Sequence, residues 1–75
     1  MLLTFGRVKE FACKASYVEV RDPKDNLLGN LVKHPGEWWS ASRDLERNLN
    51  GGKMIGLFKS LRVMKAKVVD LAEQL

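Results

Sequence analysis

The amino-acid sequence predicts one small α+β domain over residues 1–75, an antiparallel sheet of about three strands packed on a C-terminal helix. Three observations carry that expectation. Tyr17, Glu19 and Arg21 alternate with Val18 and Val20, the period of a half-buried strand. The turn-forming run DPKDN follows at once and lets LLGNLVKH return as a second strand. Leu61, Met64, Val68, Leu71 and Leu75 recur at alternating steps of three and four, drawing one apolar stripe down a helix.

The N-terminal segment has two readings. Phe5, Val8, Ala12 and Ala15 fall at helical spacing, Thr4 is available as an N-cap, and Arg7, Lys9, Glu10 and Lys14 face elsewhere; a helix over residues 5–15 is therefore preferred. Gly6 weakens that helix, and an extended strand is the second reading, with Phe11 and Cys13 the residues that would move between the two. In the hairpin that follows, Pro23 presets φ, Asn26 tolerates the left-handed conformation, and Gly29 marks a candidate bulge.

After His34, Pro35 and Gly36, the run EWWSAS reads as a third strand, in which Trp38 and Trp39 must point to opposite faces. Trp39 shares its side with Ala41 and is assigned to the core; Trp38 shares its side with Ser40 and Ser42 and is assigned to the outer face. SRDLERNLNGG fits a short helix capped by Ser42, with Leu45 and Leu49 one turn apart and Asn50 and two glycines ending it. GGKMIGLFKSLRVMKAKVV then admits one long helix, since Met54 and Leu57 extend the three-four spacing, or a strand from Lys53 to Phe58 followed by a helix from Leu61 to Leu75. Gly56 would cost a helix interior about 1 kcal/mol, and Ser60 is a good N-cap, so strand then helix is expected.

VRDPKDNLLGNLV, WWSA and GLFKS together resemble the sheet-plus-helix domains of the arm-type DNA-binding part of tyrosine integrases and the related plant Apetala-type domain. Their pattern of an aromatic-x-Ala stretch and Gly-x-Phe-x-Ser/Thr opening the helix falls here on Trp39, Ala41, Gly56, Phe58 and Ser60, loosely spanning residues 17–72. The resemblance implies three strands on one helix and DNA contact by basic residues of the sheet, of which Arg21 and Lys33 are the counterparts. The chain departs from the pattern in the insertion SRDLERNLN and in Met64, where the helix usually carries Ala.

Composition bounds the function. Thirteen Lys and Arg against nine Asp and Glu give +4 and a pI near 9.5, which favours acidic partners. Cys13 is the single cysteine, so no internal disulfide forms and a reducing cytoplasm is the expected setting; the thiol is expected to be a small buried group. No apolar run approaches membrane-spanning length, and no membrane partner is expected. His34 is expected as an exposed loop residue, NGGK lacks the phosphate-loop spacing, and Asp22, Asp25, Asp44 and Glu46 sit in turn or helix-surface settings. No catalytic residue, cofactor or metal is expected, and the protein is not expected to be an enzyme.

From Arg47 to Val69 there is no acidic residue, while Arg47, Lys53, Lys59, Arg62, Lys65 and Lys67 are basic. The expected function is nucleic-acid binding through this surface, led by Arg62, Lys65 and Lys67 on the last helix. The alternative is a protein-binding accessory factor, an inhibitor or adaptor of bacterial or phage type facing an acidic surface, anchored by Trp38 with Tyr17 and Arg21. A homodimer through the Leu61, Met64, Val68, Leu71 and Leu75 seam is a third expectation.

Overall fold

The computed structural model describes residues 1–75. Six strands, β1 (Thr4–Phe5), β2 (Lys9–Glu10), β3 (Ser16–Arg21), β4 (Leu27–His34), β5 (Trp38–Ala41) and β6 (Leu57–Phe58), form one antiparallel sheet. Two helices accompany them, α1 (Arg43–Asn50) between β5 and β6 and α2 (Leu61–Glu73) at the end. The strand order is β1, β3, β4, β5, β6, with β2 lying beside β1 against β3, so six strands fill five positions.

The expectation of an N-terminal helix is overturned. Residues 4–10 run along β3 as one interrupted edge strand: Thr4 faces Arg21 and Phe5 faces Val20, then Lys9 faces Tyr17 and Glu10 faces Ser16, one residue out of register. The Gly6 N–H donates to the Glu19 carbonyl at 2.9 Å across the slip. A helix here would have carried Gly6 in its first turns and left β3 an open edge; pairing with β3 satisfies a row of backbone groups instead. The helical stripe is dispersed accordingly, with Phe5 half-buried against the core and Val8 exposed. Cys13 is exposed rather than buried, because it falls in the tight turn that joins β2 to β3, where Lys14 takes a positive φ of 67°.

The β3–β4 turn is held by one carboxylate. Asp22 accepts from the backbone N–H groups of Lys24 and Asn26, both at 2.9 Å, and from Asn26 Nδ2 at 3.1 Å. The Asn26 backbone bond first, then the Asn26 side chain, hold the Asp22 pKa below its ordinary value. The left-handed residue is Asp25, not Asn26. Past the turn the register slips between Val20, facing Gly29, and Arg21, facing Leu27, so Leu28 is the bulged residue beside the expected Gly29.

Ser42 caps α1 as expected, its Oγ accepting from Leu45 N–H at 3.3 Å, and Ser60 Oγ accepts from Val63 N–H at 3.4 Å to start α2. Between the helices only Leu57 and Phe58 form a strand. Lys53 to Gly56 are irregular because Ile55 drops into the core and its N–H donates to Glu46 Oε2 at 2.9 Å, while Gly56 takes a φ of 128°. The long-helix reading is thereby excluded.

Both helices cover one face of the sheet. Val18, Val20, Leu31 and Trp39 project from the strands into a core closed by Leu45 and Leu49 of α1, Ile55, and Met64, Val68 and Ala72 of α2. The seam of α2 is used up in this contact: Met64 and Val68 are fully buried, Leu61 and Leu71 are half-buried, and Leu75 lies exposed beyond the helix end. Most of the stripe is thus already engaged with the sheet.

Gly29→Ala should unfold much of the population, since its φ is +154° and a Cβ would meet Leu45 N at 2.6 Å, Leu45 Cβ at 2.7 Å and Ser42 Oγ at 2.7 Å. Strain and overpacking of about 1–3 kcal/mol each are a large part of the stability of so small a domain; urea denaturation reads the loss. Gly56→Ala should destabilise by about 1 kcal/mol or more with no rise in helical circular dichroism; a gain in either quantity contradicts the observed backbone.

Candidate binding face

The face of the sheet opposite the helices carries the side chains that alternate with the core residues. One row crosses all five strand positions in register: Lys9, Tyr17, Val32, Ser40 and Leu57. In the next row toward the β4–β5 turn, His34 faces Trp38. Continuing the β5–β6 register one step past Phe58 brings Lys59 opposite Trp38, and its Nζ lies 5.1 Å from the centre of the Trp38 ring. His34 ends β4 rather than lying in the loop, and its Nε2 is 2.6 Å from Ser40 Oγ.

At the other end of the row Phe11 folds back from the β2–β3 turn onto Tyr17. Their rings stack with centroids 4.2 Å apart and planes 18° from parallel. Phe11 is 40% exposed, Trp38 38% and Leu57 53%, so three large apolar groups remain in solvent on or beside this face. The charges beside them are mostly basic. Glu19 accepts Lys9 at 3.1 Å and lies 3.5 Å from Arg21, which also reaches Asp25 of the turn at 3.9 Å. Three cations on the face itself, Lys9, Arg21 and Lys59, thus stand against one carboxylate, and Lys59 has no acidic partner.

Of the sequence-predicted residues, Trp38, Tyr17, Arg21 and Lys59 are brought to this face. The others are not. Arg62 and Lys67 are exposed on α2, on the far layer, and Lys65 is half-buried with its Nζ 5.3 Å from the Phe5 ring centre. Arg47 pairs with Asp44 at 3.6 Å on α1, and Lys53 is exposed in the following loop. Lys33 projects toward the helix side and pairs with Glu37 at 3.5 Å. The acid-free stretch of sequence is therefore not one acid-free surface. Lys9, Phe11, Val32 and Leu57 belong to the face and were not singled out; the edge-strand reading of the N-terminus holds the signal for Lys9 and Phe11, which share one side of such a strand.

No group of three His, Cys, Asp or Glu side chains is placed to hold a metal ion, and no helix is long and apolar enough to cross a membrane. The fold defines an α+β domain with one helix-covered and one open sheet face. No protein-family model, curated protein or solved structure matches the chain.

The two adjacent tryptophans should separate stability from binding. Trp39, 6% exposed, should cost about 3–5 kcal/mol when truncated to alanine, whereas Trp38→Ala should cost under about 1 kcal/mol. Equal losses in chemical denaturation would refute the assignment of the two rings to opposite faces.

Proposed function

We propose that this protein is a non-enzymatic nucleic-acid-binding module whose contact surface is the open sheet face. The single observation that supports this most is the pairing of aromatic rings with cations there: Trp38 with the acid-free Lys59, and the Phe11–Tyr17 stack with Lys9 as cross-strand neighbour. Rings offer stacking surfaces and ammonium groups neutralise phosphates, which is the combination that nucleic-acid contact requires. Of the two sheet residues that the resemblance to arm-type domains implies, Arg21 lies on this face and Lys33 on the helix side. Arg62, Lys67, Arg47 and Lys53 lie elsewhere and add to the positive field that draws a polyanion in, without forming the contact.

A protein partner is the second reading, favoured by Leu57, an aliphatic side chain 53% exposed within the same face. Trp38 would then anchor an interface, with Tyr17 and Arg21 around it.

Fluorescence anisotropy with labelled oligonucleotides at low salt tests the proposal. Binding in the micromolar range is expected, weakening as salt rises, and Lys59→Ala should flatten the slope of log K against log salt by about 0.7–0.9. Arg21→Ala should weaken binding as well. Larger losses from Arg62→Ala and Lys67→Ala would move the interface to the helix layer, and no binding at tens of micromolar protein would transfer the face to the protein-binding reading.

A further inference from the structure

Resting on that reading, we infer that the nucleic acid is single-stranded and binds across the strands through two matched subsites, each an aromatic ring with a lysine beside it. The first is the Phe11–Tyr17 stack with Lys9, which lies directly across from Tyr17 in the β2–β3 register. The second is Trp38 with Lys59. Each subsite has the parts that one nucleotide needs, a flat apolar surface for the base and an ammonium for its phosphate.

The width of the face argues against seating the whole row in a major groove. The row from Lys9 to Leu57 crosses five strand positions. Four spacings of ~4.8 Å make about 19 Å of sheet, against a groove about 12 Å wide that admits a two-stranded ribbon. A duplex would also present only base edges to rings that gain most from base planes. An unpaired strand has neither restriction, because its bases can turn down onto the sheet while the backbone crosses it.

The spacing of the subsites is compatible with this. Tyr17 and Trp38 are two strands apart, and Trp38 is two residues along β5 from Ser40, the residue in register with Tyr17's row. That places the Cα positions of Tyr17 and Trp38 about 12 Å apart, too far for one base to stack on both rings, so different bases of the strand must serve them. Lys59 now sits over the Trp38 ring, where a base would sit. Its stem is flexible, and a base arriving on Trp38 displaces the ammonium toward the phosphate of the same nucleotide. The cation–π contact therefore holds the ring in an exposed position without closing it to ligand.

Anisotropy titrations at one low salt concentration with three labelled probes decide the matter: a short thymidine strand, the same strand paired with its adenine complement, and an abasic strand of equal length. The thymidine strand should bind at least about tenfold more tightly than either of the others, and Trp38→Ala and Phe11→Ala should each weaken it by about 5- to 150-fold. Trp38→Phe, which keeps a stacking plane, should retain most of the affinity, and thermal melts should show all three variants folded. Equal or tighter binding of the duplex overturns the single-strand inference while leaving nucleic-acid binding intact. Equal binding of the abasic strand, or indifference to Trp38→Ala and Phe11→Ala, overturns the stacking subsites; no binding of any probe overturns the proposed function as well.

Discussion

The fold depends on the junction where α1 lands on β4. Ser42 Oγ accepts from Asn30 N–H at 3.0 Å and from Leu45 N–H at 3.3 Å, and the Ser42 N–H donates to the Asn30 carbonyl at 2.8 Å. One hydroxyl thus caps the helix and ties it to the centre of the sheet. The approach is so close that only a residue without Cβ fits at Gly29 beneath it. From that fixed point Leu45 and Leu49 enter the core, Asn48 Nδ2 donates to the Leu28 carbonyl at 2.8 Å, and Glu46 reaches Ile55 N–H. The last bond turns the chain back, so that β6 lies along β5 and Lys59 comes to Trp38. The open face is therefore a product of a contact made on the other side of the sheet.

Much of the central sheet was legible because its signals are local. The alternation in YVEVR, the DPKDN turn, the opposite exposures of Trp38 and Trp39, and the caps Ser42 and Ser60 all follow from neighbours in sequence. The N-terminus was not legible for the converse reason. Phe5, Val8, Ala12 and Ala15 have helical spacing, but what decides the structure of residues 4–10 is a vacant edge on β3, with partners up to 17 positions along the chain (Thr4 to Arg21), and nothing in residues 4–10 encodes that edge. Similarly, Lys53 to Gly56 are pulled out of the strand by one distant carboxylate on Glu46.

The candidate site was legible only in pieces. Trp38, Tyr17 and Arg21 could be sorted to one face by parity, and Lys59 could be seen as basic, but its place opposite Trp38 rests on the β5–β6 register across the whole of α1. The acid-free run from Arg47 to Val69 is dispersed in the same way. A helix, a loop, a strand and a second helix send its cations to different layers, and folding sets Asp44 beside Arg47. Charge along a chain becomes charge on a surface only after the register is known.

The separation of layers gives the two sets of cations different physical roles. A helix packed on a sheet holds its outer side chains at least about 10 Å from the sheet's far face, and the Debye length at physiological ionic strength is about 8 Å. Arg62 and Lys67 are thus screened from a polyanion on the open face except in dilute salt, where they speed encounter. Lys9, Arg21 and Lys59 would touch phosphate directly and release counterions at any ionic strength. Of these three, Lys9 and Arg21 must first loosen their hold on Glu19, whereas Lys59 gives up only a ring contact. Desolvating a cation that has no carboxylate partner to lose leaves more of the phosphate attraction as net binding, so the Trp38–Lys59 subsite should dominate the affinity and the Phe11–Tyr17 subsite should extend it.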